Sequence, residues 1–367
     1  MINKCLSKSA VYTFFISATL LLNVSCKKGG DNGGANPPPP TGNTFTNPLF
    51  SSGPDPYVVK NGNNYYYTHT LDNRIGLWKT TAMSKLSSAS YLTVFSPSST
   101  GDHSRNLWAP EMHFINNKWY IYYSAGDGSR LSDQDPFPSQ RTFVLENSSA
   151  DPTTGTWVDK GRIYDAAADF WAIDGTVFEH NGVNYFLWSG RTSAANDKQN
   201  IYIAQMANPW TLTGSRTLLS TPTLSWETQG DPDVNEGPEI LKNPAGKVFM
   251  VYSASGCWTD DYGLGMLTLK DGGNPLVAAD WTKSPTPVFQ KSPGNNVYGP
   301  GHNSFFTSPN GAENWILYHA NAAPMNGNGC GATRSPRMQK FTFNTDGTPN
   351  FGTPVGTNTP ITVPAGE

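Results

Sequence analysis

The stretch Glu236-Gly-Pro-Glu-Ile-Leu-Lys-Asn-Pro-Ala-Gly246, followed by Val248-Phe-Met-Val-Tyr-Ser253, has the form of a β-hairpin. A short strand with small or polar residues leads into an Asn/Gly-containing turn, and an apolar, aromatic strand leaves it. Turn residues between two strand-forming runs favour antiparallel pairing. The pattern therefore predicts a hairpin at this point of the chain.

The same pattern occurs five times along the chain. The other four copies begin at Asp55, Ala109, Ile173 and His302, and the five turns fall at residues 62, 117, 182, 246 and 311. These turns are 55, 65, 64 and 65 residues apart. Regularly repeated antiparallel sheets of this size are typical of propeller blades. We therefore predict an all-β fold, a five-bladed β-propeller over residues 46–367, with a two-sheet sandwich as the alternative.

The composition indicates a protein that binds neutral, ring-shaped ligands. Charged residues make up 14% of the chain and aromatic residues 12%, whereas charged residues make up about 25% of an average soluble domain. Aromatic faces pack against the C–H surfaces of sugar rings. The net charge of −3 offers no basic surface for nucleic acid, so we predict no nucleic-acid partner.

The N-terminal segment is predicted to direct export. Residues 1–25 read as a signal peptide, because Lys4 and Lys8 precede an apolar stretch too short to span a membrane. Cys26 follows small residues, as in a lipobox, and we predict that it is lipidated and anchors the protein in the cell envelope, in the outer membrane or the periplasm. An ordinary signal peptide is the alternative. Residues 26–45 are rich in Gly, Asn and Pro and are predicted to form a flexible tether.

Two cysteines remain in the body of the protein. Cys257 and Cys330 both lie in Gly-rich loops, and an exported protein permits a disulfide between them. The sequence leaves this pairing open. No Cys/His cluster has the spacing of a zinc site, and we expect a monomer.

Polar residues recur near the start of each predicted first strand. They are Asp55, Glu111, Asp174, Glu236 and His302. The first strand of every blade lines the central channel of a propeller, so these side chains are expected to converge there. Buried acids are costly unless they are paired or used. A ring of carboxylates around a neutral sugar suits glycoside hydrolysis, which needs one acid to protonate the leaving oxygen and one carboxylate to activate water or to attack.

The motifs that carry these residues occur in a recognisable order. They are Gly53-Pro-Asp-Pro56, Tyr65-Tyr-Tyr67, Leu107-Trp-Ala-Pro-Glu111, Ile173-Asp-Gly-Thr176, Val234-Asn-Glu-Gly-Pro238 and Tyr298-Gly-Pro-Gly-His-Asn-Ser304. This set resembles the blade signatures of glycoside hydrolase family 43 over essentially the whole chain after the tether. Three further segments resemble the α-L-arabinofuranosidase branch of that family: Ile201-Tyr-Ile-Ala204, Ala207-Asn-Pro-Trp210 and Gly347-Thr-Pro349.

The resemblance implies an inverting mechanism with three acidic residues. Asp55 matches the general base, Glu236 the general acid, and Asp174 the residue that sets the pKa of the acid. Glu239, three residues after Glu236, competes with it for the acid role. His302 matches an axial histidine that contacts a calcium ion or a water cluster. We therefore predict no required cofactor, with Ca²⁺ on the axis, held by His302 mostly through water, as an open alternative.

Five residues are predicted to contact the substrate. They are Trp108, Glu111, Trp171, His302 and Arg337. Each has a structural alternative: the two tryptophans could fill the seams between blades, Glu111 could be structural, and Arg337 could be a surface residue.

The predicted function is the release of L-arabinofuranose from α-linked arabinan or from arabinoxylan side chains, with plant cell-wall polysaccharide as the partner. Long loops at residues 125–141 and 254–263 favour a closed pocket and exo action. Endo-1,5-α-L-arabinanase and β-xylosidase activity on the same fold remain alternatives. A non-catalytic glycan-binding propeller would be expected to lack one of the three catalytic acids, and all three are present.

Overall fold

The computed structural model describes residues 42–130, 137–195, 197–326, 330 and 333–367. The predicted signal peptide, Cys26 and residues 26–41 of the predicted tether lie outside this part of the chain. Within the described residues, no helix has the length and apolar character needed to cross a membrane.

The strands form five four-stranded antiparallel sheets. The first sheet comprises β2 (Tyr57–Asn61), β3 (Asn64–Thr68), β4 (Ile75–Thr80) and β5 (Ser90–Phe95). The second comprises β6 (Arg105–Ile115), β7 (Lys118–Gly126), β8 (Arg141–Asn147) and β9 (Val158–Arg162). The third comprises β10 (Ala172–His180), β11 (Val183–Gly190), β12 (Asn200–Asn208) and β13 (Thr211–Ser220).

The last two sheets follow the same order. The fourth comprises β14 (Asn235–Lys242), β15 (Val248–Ala254), β16 (Gly263–Leu269) and β17 (Trp281–Lys283). The fifth comprises β18 (Tyr298–Thr307), β19 (Asn314–Asn321), β20 (Ser335–Phe343) and β21 (Pro349–Asn350). Short 3-10 helices span Met83–Ser88, Ala278–Asp280 and Pro293–Asn295. The prediction of a five-bladed β-propeller is confirmed.

The first strands of the five sheets stand next to one another around the central channel: β2 contacts β6, β6 contacts β10, β10 contacts β14, β14 contacts β18, and β18 contacts β2. The predicted turn residues lie at the ends of the first hairpins. Gly62, Asn117, Gly182, Gly246 and Gly311 all have positive φ angles, between 59° and 82°, as tight hairpin turns require.

The hydrophobic core is divided among the seams between blades. At the first seam, Tyr66 and Leu77 of the first blade pack with Met112 and Trp119 of the second. The other four seams each have a cluster of the same kind. The period-2 alternation of each strand places apolar side chains against both neighbouring blades, so burial at the seams stabilises the ring.

The two ends of the folded unit meet and close the ring. β1 (Thr44–Phe45) pairs with β22 (Ile361–Thr362), so Thr44 and Phe45 belong to the folded unit and not to the predicted tether. The side chain of Asn47 donates to the carbonyl of Met338 at 3.0 Å and accepts from its N–H at 3.0 Å. These contacts join the start of the first blade to the fifth blade.

Within or just before each first strand, a residue in the left-handed backbone region recurs at an equivalent position; β6 and β18 each contain a second positive-φ residue, Asn106 and Gly299. We call the recurring ones the left-handed residues: Asp55 (φ 56°), Ala109 (43°), Asp174 (55°), Gly237 (53°) and His302 (49°). In the second to fifth blades this residue lies in a β-bulge. Bulges re-aim side chains, and Asp, His and Gly tolerate this conformation better than most residues. The fold therefore directs the side chains of Asp55, Asp174 and His302 into the channel at the same depth along its axis.

A second set of residues ties each blade to the next. They lie at or near the end of the second strand, and each pairs across the sheet with the residue immediately before the left-handed residue of the same blade. We call them the junction residues: Thr70, Ser124, Ser189, Ser253 and His319. The N–H of Ala109 donates to Thr70 Oγ1 at 2.8 Å, and the N–H of Asp174 donates to Ser124 Oγ at 3.0 Å. The recurrent Ser, Thr or His at or near the end of the second strands thus has a structural function between blades.

Candidate active site

Three acidic side chains from three blades meet in the channel. Asp174, Glu236 and His302 each place a side-chain N or O atom within 4.8 Å of the other two. The carboxylate Oδ1 of Asp55 lies 3.4 Å from His302 Nδ1. The four residues are between 3% and 8% exposed. The structure therefore brings together Asp55, Asp174, Glu236 and His302.

Asp55 is surrounded by groups that favour its ionised form. Arg334 Nη1 donates to Asp55 Oδ1 at 2.8 Å, and Thr70 Oγ1 donates to Asp55 Oδ2 at 2.6 Å. Burial alone would raise the pKa of Asp55, but Arg334, His302, His319 and the Thr70 hydroxyl together hold the pKa of this carboxyl well below its usual range. Asp55 is therefore a carboxylate at neutral pH.

Glu236 has the opposite electrostatic environment. Burial raises the pKa of Glu236 to about 7, the Tyr262 hydroxyl opposes this rise, and the nearby carboxylate of Asp55 reinforces it. Tyr262 Oη donates to Glu236 Oε1 at 2.8 Å. A carboxyl group with this pKa still carries a proton at neutral pH in a large fraction of molecules, which suits proton donation.

Asp174 is coupled to Glu236. Burial raises the pKa of Asp174 well above its usual value, and the carboxylates of Glu236 and Asp55 raise it further. The N–H of Gly237 donates to Asp174 Oδ2 at 3.0 Å and partly opposes the shift. Two buried carboxyl groups this close cannot both ionise without a large cost, so the pair retains a proton near neutral pH.

His302 is neutral in this setting. Burial lowers the pKa of His302, even though the carboxylates of Asp55 and Glu111 favour its charged form. The ring packs beside Gly237, where an added Cβ would lie 3.3 Å from His302 Nδ1. His302 therefore lies at the same level as the catalytic candidates and can accept or donate a hydrogen bond there.

Glu111 lies at a different level of the channel from the other four predicted residues. The left-handed position of the second blade is occupied by Ala109, and Glu111 lies two residues further along β6. In register it corresponds to Glu239 of β14. Burial and Glu111 raise the pKa of Glu239 well above its usual value, and Glu111 Oε2 contacts His113 Nε2 at 3.3 Å. Glu111 is thus paired with Glu239 and His113, because it lies two residues beyond the left-handed position, where the fourth blade has Glu239.

The two predicted tryptophans differ in their surroundings. Trp108 is half-buried, donates from Nε1 to Asp72 Oδ1 at 2.9 Å and meets the ring of Phe137 edge-on at 4.6 Å. Trp171 is 5% exposed, donates to the carbonyl of Phe137 at 2.9 Å and carries the guanidinium of Arg191 over its ring. Trp108 therefore retains accessible surface, whereas Trp171 mainly supports the segment around Phe137.

The predicted substrate contact of Arg337 is not supported by its position. Arg337 is fully buried, and its guanidinium donates to the carbonyl of Ala320 and to Ser335 Oγ, each at 3.4 Å. The arginine that reaches the site is Arg334, because it precedes β20 and its side chain extends to Asp55. The predicted substrate contact of Arg337 is therefore wrong, and Arg334 is the arginine of this segment that contacts an acid of the site.

Sequence reasoning missed four residues at the site. They are Thr70, Tyr262, His319 and Arg334. His319 lies near the end of β19, and Tyr262 lies in the loop at residues 254–263 that the sequence predicts. Their spacing in the sequence, however, gives no indication of contact with the acids.

A disulfide joins two of the segments that supply these residues. Cys257 and Cys330 are bonded, with their Cα atoms 5.0 Å apart. Cys257 precedes Tyr262 by five residues, and Cys330 precedes Arg334 by four. The bond therefore connects the segment that holds Glu236 to the segment that holds Asp55. In addition, Asp260 accepts the N–H of Met325 at 2.7 Å.

The sequence match agrees with this geometry. The family model of glycosyl hydrolases family 43 matches residues 45–349. The chain belongs to glycosyl hydrolase family 43. The family 43 match covers all five blades and all four residues of the site.

Three relatives within family 43 are similar over most of the chain. An extracellular exo-α-(1→5)-L-arabinofuranosidase of Streptomyces avermitilis is 42% identical over 85% of this chain and 64% of its own length. A protein of the same name from Streptomyces chartreusis is 39% identical over 75% of this chain and 82% of its own. The crystal structure of an α-L-arabinofuranosidase from Lactobacillus brevis is 35% identical, with a TM-score of 0.79 over 86% of this chain and 98% of the other. The chain thus spans less than two thirds of the first of these relatives.

The site has a set of donors that fits a hydrated cation. Asp174, Glu236 and His302 are buried and offer two carboxylates and one imidazole within 4.8 Å of one another. Calcium binds six to eight ligands, mostly oxygen, and accepts water among them. Nearby, Glu239 Oε1 is buried without a hydrogen-bond partner among the described residues. These residues would hold such an ion only with water completing its coordination.

Proposed function

We propose that this protein is an inverting, exo-acting α-L-arabinofuranosidase that releases L-arabinofuranose from α-linked arabinan or from arabinoxylan side chains. One observation carries the proposal: Asp55 and Glu236 have opposite pKa shifts within one buried site. A carboxylate base and a protonated acid in the same pocket are what glycoside hydrolysis requires. The names of the two Streptomyces relatives support exo action on α-1,5 linkages.

In the proposed reaction, Asp55 acts as the general base. Arg334 and Thr70 hold its carboxylate, which removes a proton from a water molecule as that water attacks the anomeric carbon. Glu236 acts as the general acid and gives its proton to the leaving glycosidic oxygen. Because water attacks from the face opposite the leaving group, the configuration at the anomeric carbon inverts.

Asp174 and the surrounding groups tune this transfer. A proton shared with Asp174 keeps Glu236 protonated near neutral pH. The Tyr262 hydroxyl then stabilises the carboxylate that forms when Glu236 gives up its proton. Trp108, which retains accessible surface, is proposed to contact a sugar ring next to the scissile bond, and His302 to bind a substrate hydroxyl.

A bound calcium ion is part of the proposal but not a participant in any step. His302 would hold it, with water as the remaining ligands. The ion would supply positive charge near the carboxylate of Asp55, which lies 3.4 Å from His302 Nδ1, and so favour the ionised form of the proposed base.

A panel of three substrates separates the proposed activity from its alternatives. We expect hydrolysis of a chromogenic α-L-arabinofuranoside and release of arabinose alone from linear arabinan. Arabino-oligosaccharides as first products would indicate an endo-arabinanase. Hydrolysis of only a chromogenic β-xyloside would indicate a β-xylosidase, and binding without hydrolysis of any substrate would indicate a glycan-binding protein.

Two variants test the assigned roles. Glu236→Gln should lose activity on arabinan by about 10²- to 10⁴-fold and should retain more activity on an aryl glycoside, whose leaving group needs less protonation. Asp55→Asn should lose activity on both substrates while its melting temperature stays close to that of the wild type. An equal loss on both substrates in Glu236→Gln would contradict the acid role.

We also propose that the protein is exported and held in the cell envelope by a lipid on Cys26. The sequence around Cys26 and the word extracellular in the names of both Streptomyces relatives support export. In a bacterial host, Cys26→Ser should shift the protein from the membrane fraction to a soluble one and abolish labelling by a radioactive fatty acid. Membrane attachment that survives this substitution would contradict lipidation at Cys26.

A further inference from the structure

His319 is the exception among the junction residues. At the equivalent position the other four blades have a hydroxyl side chain, and three of these hydroxyls accept the N–H of a left-handed residue. The fifth blade has a histidine, and its Nδ1 accepts the N–H of Asp55 at 3.1 Å. A serine could form the same bond, so the junction alone does not explain the imidazole.

The imidazole has a cost that a serine would avoid. Because a backbone N–H can only donate, Nδ1 of His319 must accept, and the ring proton resides on Nε2. This atom is buried without a hydrogen-bond partner among the described residues. A buried, unsatisfied N–H destabilises the folded state. Another contact of the ring must therefore account for the histidine.

The ring of His319 stacks on two neighbours, Tyr262 and His302, and the His302 centroid lies 6.0 Å away at 28°. The contact with Tyr262 is the one that leads to Glu236. The rings of His319 and Tyr262 are nearly parallel, at 7°, with their centroids 5.6 Å apart. A Cβ at residue 301 would lie 2.2 Å from Tyr262 Cε1, so Gly301 gives the tyrosine the space it needs. The hydroxyl of the same tyrosine donates to Glu236 Oε1 at 2.8 Å.

His319 thus connects the two proposed catalytic residues, Asp55 directly and Glu236 through Tyr262. His319 binds the backbone of Asp55 and stacks on the ring that holds Glu236. We propose that His319 is a positioning residue that fixes the distance between the general base and the general acid. This inference rests on the proposed function, because it takes the roles of Asp55 and Glu236 from it.

The physical basis is the geometry of inversion. An inverting enzyme needs its two carboxyl groups about 6.5–9.5 Å apart, with one water between them. A displacement of about 1 Å at such a site can cost about 10²-fold in rate. The imidazole of His319 stacks on Tyr262 through its face and accepts the N–H of Asp55 at its edge. These two contacts restrict the displacement better than a single hydroxyl would.

The test uses two single variants and their combination. His319→Ser keeps an acceptor for the N–H of Asp55 and removes the stack, whereas Tyr262→Phe keeps the ring and removes the bond to Glu236. On linear arabino-oligosaccharides we expect each to lower kcat by about 10- to 10²-fold, with KM within about twofold of the wild type. The double variant should be no slower than the slower single variant, because both changes remove the same support.

A matched control separates position from general stability. Tyr252 is also a buried tyrosine whose hydroxyl donates to a buried glutamate, Glu227, at 2.8 Å, but it lies outside the site. Tyr252→Phe should lower the melting temperature without changing kcat. If His319→Ser does not fold, His319→Asn, which also keeps an acceptor and lacks the ring, is measured in its place.

The outcomes are distinct. A folded His319→Ser or His319→Asn enzyme with wild-type kcat would overturn the inference, as would losses in kcat that multiply in the double variant. Failure of the proposed function would appear instead as a wild-type enzyme inactive on the α-L-arabinofuranoside, as a Glu236→Gln variant with wild-type activity on arabinan, or as an active Asp55→Asn variant. A low kcat with unchanged KM in both single variants and no further loss in the double supports the inference.

Discussion

The backbone N–H of Gly237 donates to the carboxylate Oδ2 of Asp174 across 3.0 Å. In the other four blades the equivalent N–H instead donates to the junction residue of the neighbouring blade. The fourth blade thus directs this N–H to an acid of the third blade. As a result, the residue next to Glu236 holds Asp174 in place.

We predict that Gly237→Ala disrupts the site beyond its effect on stability. Gly237 has φ 53°, and an added Cβ would lie 3.3 Å from His302 Nδ1. The left-handed backbone should cost about 1 kcal/mol in the free energy of unfolding, measured by urea denaturation. The displaced His302 and Asp174 should in addition lower kcat/KM by about tenfold or more.

Gly246→Ala provides the control for this prediction. Gly246 has φ 82°, and a Cβ there would have no neighbour within 4 Å. It should therefore lose about the same stability, about 1 kcal/mol, and keep wild-type kcat/KM. Equal kcat/KM in the two variants would show that the Gly237 contact is unimportant for activity.

We predict that activity falls on the alkaline side with an apparent pKa near 7. The pKa of Glu236 is raised to about 7, so its proton is lost as the pH rises through this value. The pKa of Asp55 is lowered, so the base stays ionised until the pH falls below the usual carboxylate range. The pH dependence of kcat/KM on linear arabino-oligosaccharides, whose leaving group needs protonation, measures both limbs. An alkaline limb above pH 9 would contradict the assignment of Glu236.

We predict that removal of the cation beside the buried carboxylate of Glu227 strongly destabilises the fold. Glu227 is fully buried, and Lys283 Nζ lies 2.8 Å from its Oε1. Lys283→Met would leave the buried carboxylate uncompensated and should cost about 3 kcal/mol in the free energy of unfolding. Lys340→Met serves as the control, because Lys340 and Glu313 form an exposed pair at 2.8 Å, worth about 1 kcal/mol or less. Similar losses in the two variants would contradict the prediction.

We predict that a chelator lowers both activity and melting temperature if Ca²⁺ is held at His302. Removal of the ion would leave the buried carboxylate of Asp55 with less neighbouring positive charge, and added Ca²⁺ should restore both quantities. His302→Gln should show no further response to the chelator. Unchanged kcat/KM and melting temperature in the treated wild type would argue against a functional ion.

Much of the site could be predicted because its acids lie at repeated positions. Asp55, Asp174 and Glu236 each lie at or next to a left-handed residue near the start of a first strand. The five hairpin repeats in the sequence indicate where the first strands begin. Glu111 was misplaced relative to them. Glu111 lies two residues beyond the left-handed Ala109, in register with Glu239. The position of the bulge sets this alignment, and it leaves no distinct signal in a short motif.

The sequence by itself determined the five hairpin repeats, the all-β propeller and the acids that face its channel. Strand alternation and turn chemistry are local properties, so they can be read from neighbouring residues. The tertiary structure alone decided the bond between Cys257 and Cys330, the choice of Arg334 over Arg337, and the contact of His319 with Asp55, which are 264 residues apart. Such contacts depend on how the blades pack against one another, and closure of the ring fixes that packing.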